Sequence, residues 1–487
     1  MTKYLILLIS FVILFVSCQK QKEEGVKARK LPNIILILAD DLGYSDVSCY
    51  RNRLDTVVER MSTSQTPNID QLAKEGMMFS DFYAGAAVCS PSRGALLTGR
   101  NCTRLGIYNW IPGNSPMHLR SSEITIPEML KQQNYQTGHF GKWHLTSEGQ
   151  DQPHPNNQGF DYSFYAYNNA QPSHENPENY FRNGQAMGKM EGYACQIVAD
   201  EALNWLKKTD KDQPFYISLW FNEPHEKVAA PDSLKNRHAY NQAYYGAIEN
   251  MDLAVGKVLD YLKANGLEEN TIVIFTSDNG SQNVGSNEPL LGEKCFNFEG
   301  GIRVPFIAKW QNKIPSDTYN TTPGSFTDVL PTLAAFTNSE IPKDRTLDGI
   351  DLSKILLENP SNFEREKPIL FYRYFHEPVT MLRQGDWCLL GYETKIDKVE
   401  NFNERDLAKL KPAPDKPRWD MWGYQPAHQD FIDSLEVKEF ELYNLRQDVT
   451  QAKDLSAEYP EKVEAMKKTL LQLKDEMIAE GGDWFEN

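Results

Sequence analysis

Positive charge is what the chain has too little of. Lys and Arg number 51 against 67 Asp and Glu among 487 residues, a net of −16. That deficit argues against nucleic acid as a partner, and an anionic ligand would need a locally basic pocket. Cysteine is scarce too. The seven thiols are spaced neither as a zinc site nor as a dense disulfide framework. Cys18 and Cys89 aside, Cys49, Cys102, Cys195, Cys295 and Cys388 allow two bridges at most. No low-complexity tract or internal repeat interrupts the chain, and no apolar run is long enough to span a bilayer comfortably. What is left is a globular chain too long for a single core, with one large unit and one smaller unit expected.

The N-terminus reads as an export signal at residues 1–18. Lys3 precedes the apolar run Leu5 to Val16, which ends in Phe15-Val16-Ser17-Cys18. A small residue just before Cys resembles a relaxed bacterial lipobox, with Cys18 the lipidated first residue of the mature chain and the lipid its membrane anchor. Residues 19–30 are polar and read as a flexible tether. Its Gln21-Lys22-Glu23-Glu24 resembles the surface-export signals of Bacteroidetes lipoproteins. The expectation is an exported lipoprotein, periplasmic or on the cell surface of a Gram-negative bacterium.

Continuous apolar runs at 33–39, 215–220, 271–276 and 304–308 have the pattern of strands buried on both faces. Helical segments fall between them at 69–75, 127–133, 194–208 and 240–264. The alternation predicts an α/β fold, a large, mostly parallel sheet sandwiched by helices over 31–359, with its site outside the carboxyl ends of the strands. From 360 to 487 the order changes. Short strands at 369–374, 379–383, 387–392 and 439–445, then an amphipathic helix at 459–477, predict a smaller antiparallel sheet with one helix on it.

Two acidic pairs lie where such a sheet puts its site. Asp40 and Asp41 follow the first buried strand, and Asp278 and Asn279 follow the strand at 271–276. Three carboxylates and an amide oxygen make a hard shell suited to Ca²⁺ or, second, Mg²⁺. Between them in sequence runs Val88-Cys89-Ser90-Pro91-Ser92-Arg93-Gly94-Ala95-Leu96-Leu97-Thr98-Gly99-Arg100. Pro91 suits a first helical turn, so Cys89 is placed at a helix N-terminus, where backbone N–H groups favour anions. Arg93 adds a planar cation one turn on.

The Cys89 string resembles the maturation signature of the type I, formylglycine-dependent sulfatases, which share the alkaline-phosphatase-like fold. Further blocks are similar to that family in order: Gly141-Lys142-Trp143-His144-Leu145, Phe221-Asn222-Glu223-Pro224-His225, and Lys294 ahead of Phe298-Glu299-Gly300-Gly301-Ile302-Arg303. The resemblance implies that a maturing, formylglycine-generating enzyme oxidises Cys89 to an aldehyde whose hydrate is the nucleophile. It implies a metal, usually calcium, held by Asp40, Asp41, Asp278, Asn279 and position 89. It assigns the sulfate oxygens to Arg93 and Lys142, the leaving oxygen to His225 and Lys294, and the second hydroxyl of the hydrate to His144. Arg303 reads as structural.

The implied activity is hydrolysis of sulfate esters, with a sulfated glycan as substrate. The loop from Gly159 to Gly184 is rich in aromatic and amide groups, and its 168–174 run resembles carbohydrate sulfatases acting on galactose or N-acetylgalactosamine sulfates, the 4-position favoured. Asn168, Asn169, His174 and Arg182, with Arg373 and His376 from the second unit, are the candidate sugar contacts. The segment 51–64 is longer and more charged than the usual family link. Two alternatives stand beside this reading, a phosphonate or phosphodiester hydrolase of the same superfamily and a non-catalytic glycan-binding lipoprotein.

Overall fold

A computed structural model describes residues 30–54, 62–282, 284–374, 376–393 and 426–485. The export run, Cys18, nearly all of the tether and half of the 51–64 segment lie outside the described residues. The described elements belong to one compact unit, Pro32–Asn487. Among the described residues no helix is long and apolar enough to cross a membrane.

Sixteen strands are formed by the described residues. In chain order they are β1 (Asn33–Asp40), β2 (Met77–Phe79), β3 (Phe82–Tyr83), β4 (Gln136–Lys142), β5 (Tyr162–Ala166), β6 (Phe181–Arg182), β7 (Gln185–Ala186) and β8 (Phe215–Pro224). Then follow β9 (Thr271–Ser277), β10 (Phe306–Trp310), β11 (Thr318–Asn320), β12 (Gly324–Ser325), β13 (Ile369–Tyr372), β14 (Thr380–Gln384), β15 (Trp387–Tyr392) and β16 (Glu439–Asn444). Ten make one sheet in the order β11-β2-β10-β9-β1-β8-β4-β5-β6-β7. Its centre, β9-β1-β8-β4-β5, is parallel, whereas β10 and the edge pair β6-β7 run antiparallel to their neighbours.

The central strand shows why the run at 33–39 is apolar throughout. Ile35, Ile37 and Ala39 join the core formed with the helices Ala194–Leu206 and Gln242–Ala264. Ile34, Leu36 and Leu38, on the opposite face, are equally buried. Both faces are covered, so no polar alternation survives.

The smaller sheet, β13-β14-β15-β16, is antiparallel. Leu370, Leu382, Leu389 and Leu442 are in register and pack with Met466, Leu470 and Met477 of the helix Pro460–Gly481. The neighbouring positions Phe371, Met381 and Leu390 face the other way, toward Tyr83, Phe298 and Ile302 of the main unit. One face holds the helix and the other docks the sheet.

An ion cluster fixes that docking. Asp81 receives Arg303 Nη2 at 2.5 Å on one oxygen and Arg383 Nη2, from β14, at 2.9 Å on the other. Arg303 also reaches Glu299 at 3.1 Å, which makes it the structural residue expected. All four side chains are buried. Asp81→Ala would leave buried Arg383 without its carboxylate and Arg303 with Glu299 alone, and should cost about 3–5 kcal/mol. Denaturant unfolding of the variant measures this; a change near zero would show that the cluster does not hold the sheet.

Candidate active site

The sheet itself brings the two acidic pairs together. Ala39 of β1 is in register with Ser277 of β9, and the Asp278 N–H donates to the Ala39 carbonyl at 3.1 Å. Cross-links then hold the turn. The Asp41 N–H donates to Asp278 Oδ1 at 3.1 Å, the Leu42 N–H to Ser277 Oγ at 2.9 Å, and Asn279 Nδ2 to Asp41 Oδ1 at 2.7 Å. Asp41 sits at φ +60°, in the left-handed region that Asp enters more readily than most residues.

The helix Cys89–Thr98 starts at this turn. Val88 enters it extended and Gly99 closes it at φ +70°, the usual left-handed stop. Cys89 Sγ lies 3.6 Å from Asp40 Oδ1 and 3.8 Å from Asp41 Oδ1. One turn on, fully buried Arg93 donates Nε and Nη2 to Asp278 Oδ2 at 2.9 and 2.7 Å, and Nη1 to the Lys142 carbonyl at 2.9 Å. Trp220 of β8 stacks against the Arg93 guanidinium, 5.3 Å from ring centroid to cation.

The remaining cations come from strand ends and loops. Lys142 ends β4, and its Nζ donates to Asp40 Oδ2 at 2.8 Å and Asn169 Oδ1 at 3.1 Å. Lys294 Nζ lies 2.5 Å from Asp41 Oδ2 and 3.1 Å from His225 Nε2. His225, just past β8, sits 3.3 Å from the same Asp41 oxygen. His144 is buried at φ +56°, with Nε2 3.1 Å from the Ile111 carbonyl. Three carboxylates and three permanent cations therefore surround Cys89.

Burial and charge set these groups apart. Burial alone would raise the Asp40 carboxyl, but Lys142, His225, Arg93 and Lys294 together hold it well below the usual carboxylate range. Burial likewise opposes ionisation of Asp41, and His225 and Lys294 bring it down. Asp278 goes the other way: burial pushes it up to about 7 despite Arg93. Burial also lowers His144, with Lys142 and Arg93 adding to it, and lowers His225, against Asp41. The Cys89 thiol is driven well above its ordinary value by burial. An unmodified thiol here is neutral and a poor nucleophile.

The donor set fits a hard divalent cation. Asp40, Asp41, Cys89 and His225 offer ligand atoms within 4.8 Å of one another, and the buried Asn279 Oδ1 has no hydrogen-bond partner. Asp278, at the same turn, gives one oxygen to Arg93 and the other to the Asp41 N–H, which ties its carboxylate to that group.

The expected sugar contacts separate. Asn169 is on the cluster, bonded to Lys142, and the Asn168 carbonyl accepts from Asn222 Nδ2 at 3.1 Å. His376 stacks on Phe296, two residues past Lys294, with centroids 5.0 Å apart. Arg373 is buried beside β13. Two expectations are corrected. His174 is fully buried, 3.7 Å from Glu223 Oε1, where no sugar reaches it. Arg182 lies away from the Cys89 cluster, paired with Glu201 at 2.6 and 2.9 Å. Trp220 and Asn222 were not singled out from the sequence. Trp220 ends an apolar run that reads only as core, and Asn222 stands inside the block from which His225 was taken. The six described cysteines are all free.

Comparison with known proteins agrees with this geometry. The family model described as Sulfatase matches residues 32–339. Human N-acetylgalactosamine-6-sulfatase is 32% identical over 371 residues, 70% of this chain and 68% of that protein. Human arylsulfatase A is 34% identical over 366 residues, 68% and 69% of the two chains. Among solved structures, Ps i-CgsB in complex with k-i-k-neocarrahexaose superposes with a TM-score of 0.74 at 27% identity, covering 91% of this chain and 93% of that one.

Proposed function

The chain belongs to the sulfatase family and is a sulfuric ester hydrolase, and from that premise we propose that it removes sulfate from galactose or N-acetylgalactosamine units of a glycan. The observation that carries the reading is the convergence of Asp40, Asp41, Arg93, Lys142 and Lys294 on Cys89 at the carboxyl ends of β1 and β9. One similar protein is named as a sulfatase of N-acetylgalactosamine 6-sulfate, and a solved neighbour is in complex with an oligosaccharide, k-i-k-neocarrahexaose. The name of the human relative supports position 6 as an alternative to position 4, which the resemblance of residues 168–174 favours. Sulfate release from 4- and 6-sulfated galactose and N-acetylgalactosamine tests this; release from glucosamine sulfates alone would contradict it.

Asp40, Asp41, Asp278 and Asn279, with position 89, would hold a divalent cation, calcium first and magnesium second. Such a cation lowers the pKa of a bound hydroxyl and neutralises charge on a sulfate ester. Oxidation of Cys89 by a maturing enzyme would supply a hydrated aldehyde as nucleophile, replacing a thiol that burial keeps protonated. Arg93 and Lys142, both fully buried, supply donors for sulfate oxygens where such contacts act more strongly than in water. His144, with its Nδ1 buried and unbonded, is the base nearest Lys142 in the chain and is assigned the proton of the second hydroxyl.

His225 and Lys294, 3.1 Å apart, share a proton that can pass to the leaving oxygen. His225→Ala should therefore lower kcat on sugar sulfates by about 10²–10⁴-fold, the usual worth of a general acid. On para-nitrophenyl sulfate, whose leaving group needs no proton, the loss should be far smaller. Equal losses on both substrates would assign His225 to binding alone. Export and lipidation at Cys18 belong to the same proposal, and the apolar run ending at Ser17-Cys18 supports them.

A further inference from the structure

A groove of about 510 Å³ lies away from the active site, lined by Tyr162, Arg182, Glu201, Trp205, Lys207 and Lys208. Two internal rulers give its separation. Lys142, at the site, is in register with Ala166 at the far end of β5 from Tyr162, four residues or roughly 13 Å away. The Cys195 N–H bonds Glu223 near His225, and Trp205 lies ten residues along that helix, roughly 15 Å. The groove is at the opposite, amino end of the parallel strands, beside β6 of the edge pair.

Its walls are built. Glu201 takes Arg182 on both oxygens, and the Tyr162 hydroxyl on one of them, which fixes the phenol ring and neutralises that wall. Trp205 lies beside Tyr162 with centroids 6.4 Å apart and packs inward on Phe140. Lys207 and Lys208 are exposed, and Lys208 has no ion-pair partner among the described residues. With Arg182 and Glu201 cancelling, Lys207 and Lys208 leave the groove with a local excess of two positive charges on a chain whose net charge is −16.

Aromatic faces offer apolar area to the CH face of a sugar, and adjacent ammonium groups pair with anionic esters. We propose that this groove is an accessory binding site for a sulfated glycan chain, holding the polymer while sulfate is removed elsewhere on the molecule. The identity of the ligand rests on the proposed function; binding itself is measured without turnover.

The test uses the full-length Cys89→Ala protein, which keeps the groove, in affinity electrophoresis through gels containing chondroitin sulfate, desulfated chondroitin or polyglutamate. Chondroitin sulfate should retard it. The Lys207→Glu/Lys208→Glu variant, altered only at exposed positions, should weaken that retardation about fivefold or more, as should Trp205→Ala. In the mature enzyme the lysine variant should raise KM on sulfated polymer and leave kcat/KM on para-nitrophenyl sulfate unchanged. Unchanged retardation in both variants would overturn the proposal, as would equal retardation by polyglutamate. Retardation without sulfate release from any glycan would leave the groove standing and remove the substrate reading instead.

Discussion

Cys89→Ala should lower sulfate release by on the order of 10⁴–10⁶-fold, the scale on which loss of a covalent nucleophile acts. The side chain is only 2% exposed and its Sγ lies within 4 Å of two carboxylates, so alanine removes the reacting group without adding bulk. The fold should survive, because the helix is set by Val88, by Gly99 and by its buried side, none of which changes. A variant with the parent's unfolding midpoint and no turnover is the expected outcome. Retained turnover would move the chemistry away from position 89 and favour a hydrolase that uses only the metal and its surroundings.

Asp40→Asn should cost on the order of 10²–10³-fold or more in kcat, because it weakens both the cation site and the charge balance around it. Asp40 stands at the crossing of three interactions: Lys142 at 2.8 Å, Arg93 at 3.3 Å and Cys89 at 3.6 Å. An amide keeps the shape and removes the negative charge, leaving three cations against two carboxylates. Calcium should stabilise the parent against heat, by about 2.7 kcal/mol at a hundredfold excess over Kd, and the variant much less. Metal content measured on the purified proteins separates this from a folding defect. A variant that binds the parent's complement of metal would place the ion elsewhere.

Legibility in the sequence followed the length and burial of each element. The runs that became β1, β8 and β9 are long and buried on both faces, so they could be read directly. The strands β2, β3, β11 and β12 have two or three residues each, too few to show a period. The run at 304–308 was placed two residues early, since Val304 and Pro305 precede β10, and nothing in an apolar run reveals that it pairs antiparallel to β9.

The chemical residues were legible because the fold puts them at strand ends and at one helix start, fixed points of the chain. Partners chosen across the fold were not. Asn169 and Arg182 both read as sugar contacts in a loop, yet one holds Lys142 and the other pairs with Glu201. His174, expected as a sugar contact, is buried beside Glu223 near the end of β8. Such pairings depend on which segments meet.

The most direct measurement is the mass of the proteolytic peptide carrying residue 89, taken from enzyme of known specific activity. The expected result is an aldehyde at that position, reactive toward hydrazide reagents, in a fraction that rises in proportion to activity across preparations. Fully active enzyme carrying only the unmodified Cys89 thiol would contradict the account.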